Sequence, residues 1–150
     1  ELSQRHFRLV CQLLEEYRVG PMPGLEEALD ALRRRGIPFG VVSSSWRWYV
    51  EHCLRELGMY EDAAVIVTGS DGLPLKPAPA PYQAAARVFR PAPPGAVLAV
   101  EDSGSGVRSA VAAGLACAAV YNPDSGAQDL SPARWRLNSL YELPALLDGN

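Results

Sequence analysis

Three groups of polar residues follow apolar runs in this sequence, and their side chains are of kinds that can act together on one ligand. Ser43 and Ser44 follow the run "FGVV", and Glu101 and Asp102 follow "AVLAV". Lys76 stands between these groups in the chain, directly before a proline and one short loop after "AAVIVT". A hydroxyl, an ammonium and two carboxylates that bind Mg²⁺ are the groups that neutralise and orient phosphoryl oxygens. Together they predict phosphoryl chemistry.

Each group also has a structural interpretation that the sequence leaves open. A serine before a helix most often caps it, and Ser45 is predicted to do so, whereas Ser43 stands at the strand end, where its hydroxyl can bind an anion. A lone lysine is most often a solvated charge, although the proline after Lys76 restrains the backbone. Asp102 or Ser103 can cap the next helix. An apolar strand that ends in two carboxylates is nevertheless costly unless hydrogen bonds or a cation such as Mg²⁺ compensate them.

The segments around these groups alternate between helical and strand patterns without hairpin signals. Helices are predicted at residues 2–17, 25–35, 46–57, 82–89 and 106–113, and strands at "IPFGVV", "AAVIVT", "AVLAV" and "ACAAVY". Strands that are apolar on both faces and separated by helices indicate a parallel sheet covered on both sides. The sequence therefore predicts one doubly wound α/β layer with its ligands at the carboxyl ends of the strands.

Composition and charge are those of a single globular domain. The chain has 150 residues, 48% of them hydrophobic, and a formal net charge of −3. With acids and bases interspersed and no long apolar run, these values argue against nucleic-acid binding and against a membrane anchor or span. The cysteines Cys11, Cys53 and Cys117 are widely spaced in apolar or helical contexts. They are predicted to be reduced core thiols of a cytoplasmic protein.

Three stretches, in this order, resemble the haloacid dehalogenase superfamily, in particular the branch of beta-phosphoglucomutase and phosphoglycolate phosphatase. They are "PGLEEALDALRRRGIPFGVVSSS", "LKPAPAPYQAAARVF" and "AVEDSGSGVRSAVAAGLACAAV". The resemblance implies a Rossmann-like α/β core and a Mg²⁺-dependent phosphatase or phosphomutase relative that acts on a small phosphorylated metabolite through an aspartyl-phosphate. It implies that Ser43 and Ser44 bind phosphate, that Lys76 stabilises the nucleophile and the phosphoryl group, and that Glu101 and Asp102 hold the metal. Ser43 and Lys76 are thus the predicted catalytic residues.

The sequence departs from the family pattern at the first motif. The family places Asp-x-Asp-Gly, which supplies the nucleophile and the general acid, after a first strand, and a helical cap follows it. The Asp71-Gly72 and Asp148-Gly149 pairs here follow no apolar strand. Because the chain opens on Glu1, we expect a fragment that begins inside the cap, with residues 1–20 a cap remnant and 21–150 a core without its first strand. Such a fragment is expected to be inactive alone.

Two other functions remain open from the sequence. One is a non-catalytic module, or pseudoenzyme, that binds phosphate or a partner without turnover. The other is a phosphoacceptor receiver domain, which also uses paired acids, a hydroxyl and a Lys-Pro pair. In receivers, however, the acids come first in the chain and an acceptor aspartate ends a middle strand. Neither the substrate nor the oligomeric state is predicted.

Overall fold

A computed structural model of the chain describes residues 20–92 and 94–149, together with Leu9 and Leu13. Its helices are α1 (Leu25–Arg35), α2 (Arg47–Glu56), α3 (Ala80–Ala86), α4 (Gly104–Ala112) and α5 (Leu143–Leu147). Its strands are β1 (Phe39–Val42), β2 (Ala63–Val67), β3 (Leu98–Glu101), β4 (Ala116–Val120) and β5 (Trp135–Leu137). Strands and helices alternate through most of the described chain, as the sequence predicted.

The strands are parallel, as predicted, and within the described residues they form two sheets. β1 pairs with β2, and Val42 lies opposite Val67. β4 pairs with β3 on one side and β5 on the other, and Glu101 lies opposite Ala119. Within the described residues, no backbone ladder joins β1 to β3. The strand ends that carry the polar groups therefore belong to two separate sheets.

Helices cover both faces of the three-stranded sheet because the side chains of β4 alternate between them. Ala118 and Val120 pack in an apolar cluster with residues of α1, α5 and the preceding 3₁₀ turn. Cys117 and Ala119 point to the other face and pack with residues of α3 and α4. The buried centre of the fold is therefore β4, and the doubly wound arrangement is present around it.

Some predicted elements differ from the structure. The sequence patterns missed β5, which has only three residues with Arg136 at its centre, and α5, which has only five. Ser45 does not cap α2, because Ser70 Oγ accepts the hydrogen bond from the backbone N–H of Arg47 at 3.1 Å and Trp46 stands at the cap position. The predicted helix at 2–17 lies outside the described residues except for Leu9 and Leu13, and the cap remnant stays a prediction.

The predicted core position holds for Cys117, which is buried, whereas Cys53 is only partly buried. Cys53 and Cys117 are free thiols, and Cys11 lies outside the described residues. Burial, and then the nearby Glu101 carboxylate, raise the pKa of Cys117 to about 11, so its thiol stays protonated at neutral pH. In the part of the chain that the structure describes, every helix is too short or too polar to cross a bilayer.

Candidate functional site

Lys76 connects the carboxyl ends of the two sheets. It is the only lysine of the sequence, and its side chain is 9% exposed. The ammonium donates to the backbone carbonyl of Val42 at 2.9 Å and forms a close ion pair with Glu101 Oε1. Because Val42 ends β1 and Glu101 ends β3, one side chain spans the break between the sheets. The structure thus places Lys76 at the strand ends.

Glu101 is buried, and both of its carboxylate oxygens accept hydrogen bonds. Oε1, which already pairs with Lys76, also accepts from Tyr82 Oη at 2.5 Å, and Oε2 accepts from Ser103 Oγ at 3.2 Å. The Lys76 ammonium lies 5.1 Å from the centroid of the Tyr82 ring. A buried carboxylate is stable when it is paired and hydrogen-bonded. One ammonium and two hydroxyls meet that requirement here.

The small residues after the two acids leave room for the Glu101 carboxylate. A Cβ atom on Gly106 would lie 1.9 Å from Oε2 of Glu101 and 2.1 Å from its Cδ. Ser103 caps α4, since its Oγ accepts from the N–H of Gly106 at 3.1 Å. The first turn of α4 therefore packs directly against the carboxylate, which explains why the loop consists of serines and glycines.

Asp102 is oriented by the loop between β4 and β5. Its Oδ2 accepts from Asn122 Nδ2 at 2.7 Å and from Ser125 Oγ at 3.3 Å. Gln128 in the same loop accepts at Oε1 from the N–H of Gly104 at 2.9 Å. The loop thus fixes one oxygen of Asp102 and leaves Oδ1 without a hydrogen-bond donor among the described residues.

Glu101 and Asp102 differ in how well they fit a divalent cation. Among the described residues, no cluster of three His, Cys, Asp or Glu side chains is placed to hold a metal ion. Proteins commonly hold Mg²⁺ through one or two carboxylates, with water and phosphate oxygens as the other ligands. Asp102 fits that use through Oδ1, whereas Glu101 is already paired with Lys76.

Ser43 and Ser44 lie at the end of β1, directly after the carbonyl that binds Lys76. The N–H of Ser43 donates to the carbonyl of Val67 at 2.9 Å, and its Oγ accepts from the N–H of Ser45 at 3.1 Å. The hydroxyl proton of Ser43 is therefore available to an anion. Ser44 is exposed, and its carbonyl approaches Gly69 so closely that a Cβ there would lie 2.3 Å away. Both serines share the edge with Lys76, and their phosphate-binding role stays a prediction.

The aspartates of the two Asp-Gly pairs are bound to arginines. Asp71 accepts from Arg47 at 2.8 and 2.9 Å and from the N–H of Thr68 at 2.8 Å. Asp148 accepts from Arg35 at 2.8 Å. Both aspartates thus have an arginine partner, and the expectation that neither pair takes the place of the first motif stays a prediction.

The sequence analysis missed Tyr82, Gly106 and Asn122. Tyr82 stands six residues after Lys76 in a segment whose pattern indicated only a helix, and nothing in the pattern tells which way its hydroxyl points. The composition supports only Lys76, which was already predicted: the chain has 150 residues, 14 of them basic, and a single lysine. A lysine that the surface does not use elsewhere is a candidate for a specific function.

The chain is similar to known proteins in both sequence and fold. The sequence profile of the haloacid dehalogenase-like hydrolases matches residues 3–114. The protein YhcW of Bacillus subtilis (strain 168) is 36% identical over 151 residues, which cover 99% of this chain and 67% of YhcW. The phosphoglycolate phosphatase of Xylella fastidiosa (strain 9a5c) is 31% identical over 147 residues, which cover 98% of this chain and 61% of that enzyme.

A solved structure gives the same result. The crystal structure of CbbY from Rhodobacter sphaeroides in complex with phosphate superposes with a TM-score of 0.79 at 30% identity, covering 88% of this chain and 60% of CbbY. The chain therefore spans about three fifths to two thirds of the length of these relatives. This likeness confirms the predicted parallel α/β fold.

Proposed function

The chain belongs to the haloacid dehalogenase-like hydrolase family, and from that premise we propose that it supplies the phosphoryl-binding part of a Mg²⁺-dependent phosphatase. The proposed substrate is a small phosphorylated metabolite, because one relative is a phosphoglycolate phosphatase and the CbbY structure holds phosphate. Membership in this family removes the receiver-domain alternative.

The observation that carries the proposal is the buried ammonium of Lys76 at the carboxyl ends of β1 and β3. It is held by the carbonyl of Val42 and the carboxylate of Glu101, and Ser43 follows Val42 directly. A fixed positive charge in a poorly solvated site interacts strongly with an anion and needs little reorganisation when negative charge develops. Lys76 neutralises phosphoryl oxygens in this proposal, while Ser43 and Ser44 orient the group through hydroxyl and backbone donors.

The proposed magnesium ligands are Asp102 and, as the second carboxylate, Glu101. Bound Mg²⁺ would add positive charge against the phosphoryl oxygens. The contacts of Asn122 and Ser125 to Oδ2 support Asp102 as the primary ligand, because they occupy that oxygen and leave Oδ1 without a donor among the described residues. Glu101 already forms an ion pair with Lys76, so in this proposal it contributes less than Asp102 to Mg²⁺ binding.

The nucleophile in this proposal is an aspartate from a segment other than the described residues. Its carboxylate oxygen forms a bond to phosphorus as the bond to the leaving oxygen breaks, and water then cleaves the aspartyl-phosphate to release phosphate. The break between β1 and β3 supports such a segment, since among the described residues each strand has one edge without a partner strand there. The pairing of Asp71 and Asp148 with arginines supports it further.

Hydrolysis of p-nitrophenyl phosphate with Mg²⁺ tests the proposal. Residues 1–150 alone should show no turnover above background, because charge stabilisation without an attacking oxygen leaves only adventitious water. Adding the segment encoded directly upstream, in the same chain or as a peptide, should restore turnover. Lys76→Ala should then abolish it, whereas Arg87→Ala, which removes an exposed positive charge, should leave it unchanged.

Two results would contradict the proposal in different ways. Mg²⁺-dependent hydrolysis by residues 1–150 alone, lost on mutation of some other aspartate, would mean that the nucleophile lies in this chain. Phosphate binding that persists with the upstream segment present, but without hydrolysis, would favour the non-catalytic module.

A further inference from the structure

We infer that Tyr82 is a positioning residue of this site: its hydroxyl holds the Glu101 carboxylate in the orientation that directs the Lys76 ammonium toward the strand ends. The inference rests on the proposed function for its catalytic meaning, and on the contacts of three side chains for its geometry. Tyr82 itself contacts neither the phosphoryl group nor the nucleophile in this arrangement.

The geometry is that of one oxygen shared by two donors. Oε1 of Glu101 accepts both from the Lys76 ammonium and from Tyr82 Oη, the latter at 2.5 Å. The other oxygen is held by Ser103 and lies against Gly106. With both oxygens fixed, the carboxylate cannot rotate about its terminal bond. The position of the ammonium, which its own four-carbon chain leaves free, is thereby set.

Tyr82 is suited to this task by its position. Its side chain is buried among residues of α4 and β4, and its hydroxyl donates to the Glu101 carboxylate from within that packing. Its ring also lies beside the ammonium, so a change to phenylalanine removes the hydroxyl while it keeps the ring contact.

A single lysine makes the test direct. A chain labelled with ¹⁵N-lysine has one ammonium resonance, that of Lys76. In Tyr82→Phe, measured without Mg²⁺, this resonance should move, and its protons should exchange with water about tenfold faster, because a hydrogen bond to a charged group is lost. Tyr49→Phe is the matched control: it removes a partly buried hydroxyl that contacts Cys53, and the Lys76 resonance should stay in place.

A second variant tests whether Tyr82 acts through Glu101. Glu101→Gln should move the same resonance. The double variant Tyr82→Phe/Glu101→Gln should differ little from Glu101→Gln alone, because Tyr82 affects Lys76 only through the Glu101 carboxylate. Fully additive shifts would overturn the inference. If Tyr82→Phe does not fold, as judged by circular dichroism, an unmoved resonance in Glu101→Gln overturns it equally.

Kinetics separate this inference from the proposed function. In the chain extended by its upstream segment, Tyr82→Phe should lower kcat about tenfold and leave KM within about twofold. This is the result expected when the Lys76 ammonium is no longer positioned to stabilise negative charge in the transition state. If the wild type is active but Tyr82→Phe leaves the Lys76 resonance and kcat unchanged, the positioning role of Tyr82 is rejected and the proposed phosphatase function is not. A moved resonance with an inactive wild type would support the positioning of Lys76 and reject the phosphatase.

Discussion

Glu101 and Gly106 fit together so closely that a methyl group between them has no room. Gly106→Ala is therefore expected to push the carboxylate away from Lys76 and Tyr82. Overpacking of this kind costs about 1–3 kcal/mol, and the free energy of unfolding, measured by urea denaturation, should fall by that amount. In the extended chain, the phosphatase activity should fall with it.

Gly95→Ala is the matched control for that variant, because among the described residues, its two chain neighbours aside, no atom lies within 4 Å of a Cβ placed at Gly95. Its effect on unfolding should stay within about 0.5 kcal/mol. Equal effects of the two changes would mean that the close packing of Gly106 on Glu101 does not exist in solution.

Asp102 is expected to be the main magnesium ligand of the described residues. Asp102→Ala should weaken Mg²⁺ binding about tenfold in isothermal titration calorimetry, because carboxylate number sets the affinity of such oxygen sites. Asp124→Ala removes an exposed acid from the neighbouring loop and should have little effect. Unchanged affinity in Asp102→Ala would remove Asp102 from the site.

The rule that ligands meet the carboxyl ends of parallel strands explains why four of these residues could be predicted to lie near one another. Ser43, Lys76, Glu101 and Asp102 all come after apolar runs, and the structure has Lys76 in contact with the ends of both β1 and β3; their roles stay predictions. Tyr82 could not be found in this way. Its contact with Glu101 depends on the orientation in which α3 packs against the sheet, and the hydrophobic periodicity of the sequence does not give that orientation.

At the scale of the elements, Asp71 ties the loop after β2 to the start of α2. Asp71→Asn weakens the hydrogen bonds that the carboxylate accepts from Arg47 and Thr68. Because the pair is partly exposed, the free energy of unfolding at pH 7 should fall by about 0.5–1 kcal/mol. Asp30→Asn breaks an exposed i,i+3 pair with Arg33 and should have a much smaller effect. Thermal or urea unfolding of both variants checks this.

The same contact has a defined pH dependence. Hydrogen bonds from Arg47 and then Thr68, against the effect of burial, lower the pKa of Asp71 below its ordinary value of 3.8. A carboxyl group whose pKa is lowered by folding stabilises the fold above the ordinary value and loses that contribution as the pH falls through the lowered one. The difference between wild type and Asp71→Asn should thus be constant near neutrality and shrink below about pH 4.

The elements that the sequence predicted are the ones with long apolar or periodic runs. β4 and α1 have such runs, whereas β5 has an arginine between two apolar residues and too few positions to show a period. Ser45 illustrates a different limit. Its cap position was plausible locally, but the loop after β2 brings Ser70 to the same N–H from a distance of 23 residues, and contacts of that separation are absent from a local pattern.

At the scale of the whole molecule, the break between β1 and β3 divides the fold into unequal parts. β4 is buried between two strands, whereas β1 and β2 pair only with each other among the described residues. The amides of Ala116–Val120 should therefore exchange with deuterium at least about tenfold more slowly than those of Ala63–Val67. Mass spectrometry after proteolysis measures both segments, and equal protection would contradict the division.

The break itself could not be predicted from the pattern, because alternation of strands and helices indicates a parallel sheet without giving the order of its strands. The resemblance to known enzymes implied a missing strand, and the structure has no ladder between β1 and β3 among its described residues. Addition of the upstream segment should slow the exchange of Ala63–Val67 if that segment fills the break.

The solitary lysine also determines how the chain responds to acylating reagents. Every other basic side chain that carries a permanent charge is a guanidinium, which such reagents leave alone, so the exposed surface of the described residues offers no lysine amine to compete. Because the Lys76 side chain is 9% exposed and its ammonium is bound to Val42 and Glu101, its acylation should be slow and should speed up when these contacts open. The rate of that one modification would therefore report on opening at the carboxyl ends of β1 and β3.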